Sequence, residues 1–110
     1  MTESKLQLFK KHINYYQKLL GLQRWHITCK IGKLDDDDAY AEVVWGVPSY
    51  DAVITLDTKT VGAEIKRSAC HECLELLFID VTLLGQQLDV SYVKLNSIVH
   101  PIIRTLEDLL

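Results

Sequence analysis

Apolar side chains recur at Leu6, Phe9, Ile13, Tyr16 and Leu20, at alternating intervals of three and four, which places one apolar stripe on a helix. Ser4 followed three positions later by Gln7 reads as a capping pair at its start, and Gly21 as its stop. From Trp25 the period changes to two. Trp25, Ile27, Cys29 and Ile31 face one way and His26, Thr28 and Lys30 the other, the signature of a half-buried strand.

A second alternating run, Ala41, Val43, Trp45 and Val47, ends where Pro48 removes a ladder donor. A third strand spans Tyr50 to Asp57. Here Val53 is apolar as well as Ile54 and Leu56, so cover on at least part of both faces is expected. The runs flanking Gly46-Val47-Pro48-Ser49 predict an antiparallel hairpin from Tyr40 to Asp57. Short connections between all three strands predict an antiparallel meander. The remainder reads as helix, from about Thr60 to Leu84 and from about Ser91 to the C-terminus, with a turn over Gly85 to Asp89. Pro101 predicts a kink near Ile98 to His100 or a fresh helix start. The expected class is α+β, in the order α-β-β-β-α-α, with a three-stranded, mostly antiparallel sheet packed on helices.

The chain has 110 residues, enough for one core and too few for two, so one domain over 1–110 is expected. No repeat, low-complexity tract or Gly/Ser-rich linker divides it. Lys and Arg number 12 against 15 Asp and Glu, a formal charge of -3, which leaves binding to a nucleic-acid backbone unsupported. Met1 to Lys11 contains no continuous apolar h-region, and no later stretch approaches the ~18 uninterrupted apolar residues of a membrane span. Cys29, Cys70 and Cys73 form an odd set that suits free thiols in a reducing compartment, and the cytoplasm is the expected location.

The Thr60 to Leu84 segment carries apolar residues in nearly every direction of the helical wheel, so it is expected to be buried. Yet His71, Glu72 and Glu75 share one arc of about 100°. Buried carboxylates need a partner or take up a proton, and a divalent cation is one such partner. A hydrogen-bonded core histidine is the plainer alternative for His71. Glu75 also suits a surface pair with Lys66 or Arg67, and His100 a simple residue before a helix start.

Cys70-His71-Glu72-Cys73-Leu74-Glu75-Leu76-Leu77 resembles the H-E-x-x-H helix of zincin metallopeptidases, with Glu at its last position. The resemblance covers roughly the whole chain. An N-terminal helix, a Trp-initiated strand, two more strands, the H-E helix and an end such as Ile102-Ile103-Arg104-Thr105-Leu106-Glu107 are similar to small phage-associated and SprT-like zincins. It implies one zinc ion held by His71 and Glu75, with His100 from the following helix as third ligand and Glu72 as general base for metal-bound water. The implied activity is hydrolysis of peptide bonds, with the substrate along a sheet edge, for which Tyr50 to Asp57 is the expected strand. Because the second His is lost, the other implied role is a non-catalytic binding or inhibitory module acting on a peptide or protein partner, such as a phage-encoded one, with or without metal. A structural His–Glu cluster without metal is the third reading.

The other polar features are weaker signals. Asp35 to Asp38 lacks calcium-loop spacing and reads as a solvated turn. Cys70 and Cys73 form a C-x-x-C, but in mid-helix, where packing as small apolar residues fits better than redox chemistry. His12 and His26 are expected in solvent, and Trp25, Trp45, Tyr15 and Tyr16 as core or surface cover.

Overall fold

The computed structural model describes residues 3–87 and 92–110. The elements follow the expected order: α1 (Lys5–Leu19), β1 (His26–Gly32), β2 (Ala41–Gly46), β3 (Asp51–Asp57), α2 (Ala63–Gln87) and α3 (Tyr92–Leu109). At the start of α1 the Ser4 hydroxyl accepts from the Gln7 N–H and the Gln7 side chain accepts from the Ser4 N–H, a reciprocal cap. Phe9, Ile13 and Tyr16 are the buried members of its stripe. Gly21 takes φ +69°, a conformation that glycine adopts without a Cβ clash.

The sheet order is β1-β3-β2. β2 and β3 form the expected antiparallel hairpin, with Ala41 opposite Leu56 and Gly46 opposite Asp51, and Pro48 lies in its turn. The expected meander is not formed. β1 pairs with β3 in parallel, from His26 opposite Asp51 to Gly32 opposite Asp57. Two features account for the difference. β3 has the most apolar surface, with Ala52, Ile54 and Leu56 buried and Val53 half-buried, so it gains most from a central position, whereas the alternating strands each need one covered face. The 33–40 connection is also tied beneath the end of β3: the Asp57 carboxylate accepts from the Leu34 N–H at 2.9 Å and the Lys59 N–H at 2.8 Å, and the Asp57 N–H donates to the Tyr40 carbonyl at 2.9 Å. The chain thereby passes β3 and returns as the opposite edge.

The helices cover one face of the sheet. One apolar cluster joins Phe9 and Tyr16 of α1, Ile54 and Leu56 of β3, Leu74 of α2 and Ile103 of α3. α3 runs as one helix through Pro101, so of the two outcomes expected there, a kink or a fresh start, the fresh start does not occur. Proline removes one helical hydrogen bond, and the buried Ile103, with half-buried Val99 and Leu106 on either side, anchors the helix across that gap. Of the expected 85–89 turn, Gly85 to Gln87 are helical, and 88–89 lie outside the described residues.

Leu74 is fully buried and Leu77 half-buried. Leu74→Ala should therefore cost about 2–5 kcal/mol in urea unfolding, as expected for a cavity in a closed core, and Leu77→Ala less; equal losses would contradict this packing. Asp57 gives a pH-dependent expectation. The backbone donors Lys59 and Leu34 hold its carboxyl below the ordinary 3.8. A depressed folded value contributes stability above the unfolded value that is lost as pH falls through the folded one. Asp57→Asn should thus be less stable than wild type at neutral pH, with the gap closing below about pH 3.8. A gap of constant size at every pH would remove Asp57 from this role.

Candidate functional site

Seen down α2 at about 100° per residue, His71, Glu75 and Phe78 form a column facing α3. The two helices run antiparallel in a register shown by two contacts: His71 meets Glu107, and the His100 ring lies 5.0 Å from the ring of Phe78. His71 is held on both ring nitrogens. Nε2 is 3.4 Å from Glu75 Oε1, one turn along the same helix, and Nδ1 pairs with Glu107 Oε1 across the interface. These contacts, Glu75 first and then Glu107, raise the imidazole to about 9 against the opposing effect of burial. The same pairing with His71 lowers Glu75.

Glu72 occupies a different setting. It is only 6% exposed, and among the described residues its carboxyl makes no hydrogen bond or ion pair. Burial raises it to about 7, with His71 opposing and Glu75, Glu42 and Glu107 reinforcing the shift. A carboxyl balanced near neutrality can both accept and return a proton. It lines a cleft of about 480 Å³ together with His71, Glu107, Ser68 and the start of β2 at Tyr40 and Ala41.

The structure thus unites His71 with Glu75 and sets Glu72 in the adjoining cleft wall. His100 packs on Phe78, seven residues beyond His71, or roughly 10 Å along α2 at 1.5 Å per residue; it makes no contact with His71, but its charge reaches Glu75 and helps to lower that carboxyl. Its place opposite His71 is taken by Glu107, which the helical register of α3 puts two turns further on. Sequence reasoning included Glu107 in the Ile102–Glu107 end that carries the resemblance but gave it no role; the signal for one was its seven-residue spacing from His100, readable once the α2–α3 register is known.

The remaining candidates separate cleanly. Glu75 pairs with His71 rather than with Lys66 or Arg67, and Arg67 sits 3.9 Å from Glu64. Cys70 and Cys73 are buried free thiols, raised by burial, Cys73 to about 12, which makes them poor nucleophiles. Asp35 to Asp38 and His26 are exposed, whereas His12 is half-buried and lowered by that burial. Trp25 and Tyr16 are core, and Trp45 and Tyr15 exposed. The Trp25 indole N–H donates to Asp80, which also takes Arg24 at 2.7 Å. Tyr50 to Asp57, the strand expected to offer an edge, is central, and β2 is the edge strand beside α2.

The donor chemistry can be compared with zinc directly. Two ligands on one tetrahedral zinc with bonds of about 2.0–2.2 Å stand roughly 3.3–3.5 Å apart, which is the His71 Nε2 to Glu75 Oε1 separation of 3.4 Å. A carboxylate on the other nitrogen, as Glu107 provides, directs the Nε2 lone pair outward. These residues fit two ligand positions. Among the described residues no group of three His, Cys, Asp or Glu is disposed around one point that could hold an ion, since Glu107 meets the opposite ring nitrogen of His71.

No family model, curated protein or solved structure matches the chain. No helix among the described residues is long and apolar enough to cross a membrane.

In metal-free protein the His71 ring should titrate near 9 by proton NMR. Glu75→Gln should lower that midpoint most and Glu107→Gln also, both toward the ordinary 6.5. Since the folded value is raised, the stabilisation is fully present below about pH 6.5 and is lost as pH rises through about 9. A wild-type midpoint at the ordinary value would show that the two carboxylates do not hold the ring.

Proposed function

We propose that the chain is a zincin-like, peptide-acting module in which His71 and Glu75 hold a divalent ion, zinc by preference, and Glu72 serves as general base for peptide-bond hydrolysis. The observation that carries this reading is the 3.4 Å separation of His71 Nε2 and Glu75 Oε1, with Nδ1 turned toward Glu107. A bound zinc would supply Lewis acidity toward a carbonyl and a more acidic water. Glu107 orients the imidazole and fixes its tautomer. Glu72, buried yet facing the cleft, takes a proton from water and returns it to the departing amine, a role suited to its value of about 7. The peptide lies along β2, whose outer edge has no strand partner among the described residues and so offers main-chain hydrogen bonds to an added strand.

A second reading has its own support: His100 packs on Phe78 rather than on His71, and among the described residues only His71 and Glu75 stand at ligand separation. On that reading the module binds peptide without cutting it, as a binding or inhibitory partner. Metal content and turnover separate the two. Wild type and Glu72→Gln should both carry stoichiometric zinc, while hydrolysis of a mixed peptide library falls by about 10²–10⁴-fold in Glu72→Gln, the usual contribution of a positioned acid–base group. His71→Ala should lose zinc and turnover together. Equal turnover in wild type and Glu72→Gln eliminates the mechanism, zinc without turnover in wild type leaves the binding module, and no zinc under metal-replete conditions removes the metal.

A further inference from the structure

The cleft beside Glu72 is one end of a longer seam between β2 and α2. A second cavity of about 290 Å³ continues it beyond Glu75, lined by Val43 and Trp45 of β2 and by Phe78, Ile79 and Leu83 of α2. The α2 residues of both cavities, from Glu64 to Gln86, fall within about 160° of one helix face. From β2 the seam takes Ala41, Val43 and Trp45, alternate residues that share one face of the strand. The His71–Glu75 pair stands at the junction of the two cavities.

The two ends differ in chemistry. The first carries Asp38, Glu64, Glu72 and Glu107 against Arg67 and His71. Arg67 is drawn toward Glu64 and His71 toward Glu75 and Glu107, while Glu72 is 6% exposed and lacks a hydrogen-bonding or ionic partner among the described residues. A buried carboxyl facing a cavity is satisfied by a donor entering that cavity. The second end offers aromatic and aliphatic walls, including Trp45 at 43% exposure, which favour an apolar side chain.

We infer that this seam selects an extended peptide bearing a Lys or Arg four positions from a large apolar residue, the cation entering the Glu72 cleft and the apolar side chain the Trp45 cavity. The spacing follows from β2. Ala41 lines the first cavity and Val43 and Trp45 the second; Ala41 and the aromatic Trp45, at the two far ends, are four residues apart, about 13 Å at 3.3 Å per residue. A strand added to the β2 edge presents side chains to the same face at its first, third and fifth positions, so two residues four apart reach both ends. The inference rests on the peptide-binding part of the reading above alone and needs neither metal nor turnover, because a cation seated on Glu72 occupies the carboxyl that hydrolysis would use as base.

The test is fluorescence polarisation with a labelled Gly/Ser decapeptide carrying one Lys and one Phe four positions apart, against full-length protein with zinc and with chelator. Replacing that Lys by Glu, or that Phe by Ser, should weaken binding at least tenfold each, and moving the two residues to three apart should do the same by turning one side chain to the opposite face. The surface charge reversal Asp38→Lys with Glu64→Lys should invert the preference toward the Glu-bearing peptide, with circular dichroism reporting that the fold is kept. Equal affinity for the Lys and Glu peptides, insensitivity to spacing, or no binding of any of them overturns the inference. Hydrolysis of the mixed library with flat binding preferences defeats it while leaving the proposed function intact. The spacing and charge preferences without any turnover uphold it and defeat hydrolysis alone.

Discussion

The burial of α2 is the constraint on which the rest of the structure depends. Its 25 residues are apolar around almost the whole circumference, so the helix needs cover from the sheet, from α1 and from α3. It also carries His71, Glu72 and Glu75 on that same surface. Ionisable groups on a buried helix must be paired, protonated or given access to a cleft. Each solution occurs once: His71 and Glu75 are paired, with Glu107 completing the set from α3, and Glu72 is raised toward protonation and opens on the cleft.

The same pairing fixes how α3 lies. Ile103 supplies apolar cover and Glu107 the carboxylate opposite His71, two interactions one turn apart on the same helix face. They impose an antiparallel register in which His100 falls against Phe78. The site is therefore composed by helix packing, and shifting α3 by one turn would exchange its polar and apolar contacts. The set is only partly buried, with 44% of the His71 side chain exposed, so it adds little net stability and acts with the packing of Ile103 to favour one register.

The sheet contributes by its order. With β3 in the centre, β2 becomes the edge that borders α2, and the seam between them holds both cavities. A meander would have put β3 at that edge and buried Tyr40 and Ala41 beside β1. The Asp57 hydrogen bonds to the 33–40 connection are thus linked to the site, since they route the chain past β3 and bring Tyr40 to the rim of the cleft.

Local pattern was sufficient for the element order, the α1 cap, the β2–β3 hairpin, the burial of α2 and the grouping of His71, Glu72 and Glu75. All depend on periodicity or on contacts within a few residues, which a linear reading contains. The central place of β3 was half legible in Val53, whose apolar side chain on the second face needs neighbours on both edges, but short connections argued the other way. Strand order, the register of α3, the substitution of Glu107 for His100 beside His71, and the two-ended seam were decided in three dimensions. Each depends on which distant surfaces bury one another, and the free energy of that burial outweighs local preferences such as the fresh helix start that Pro101 could have made.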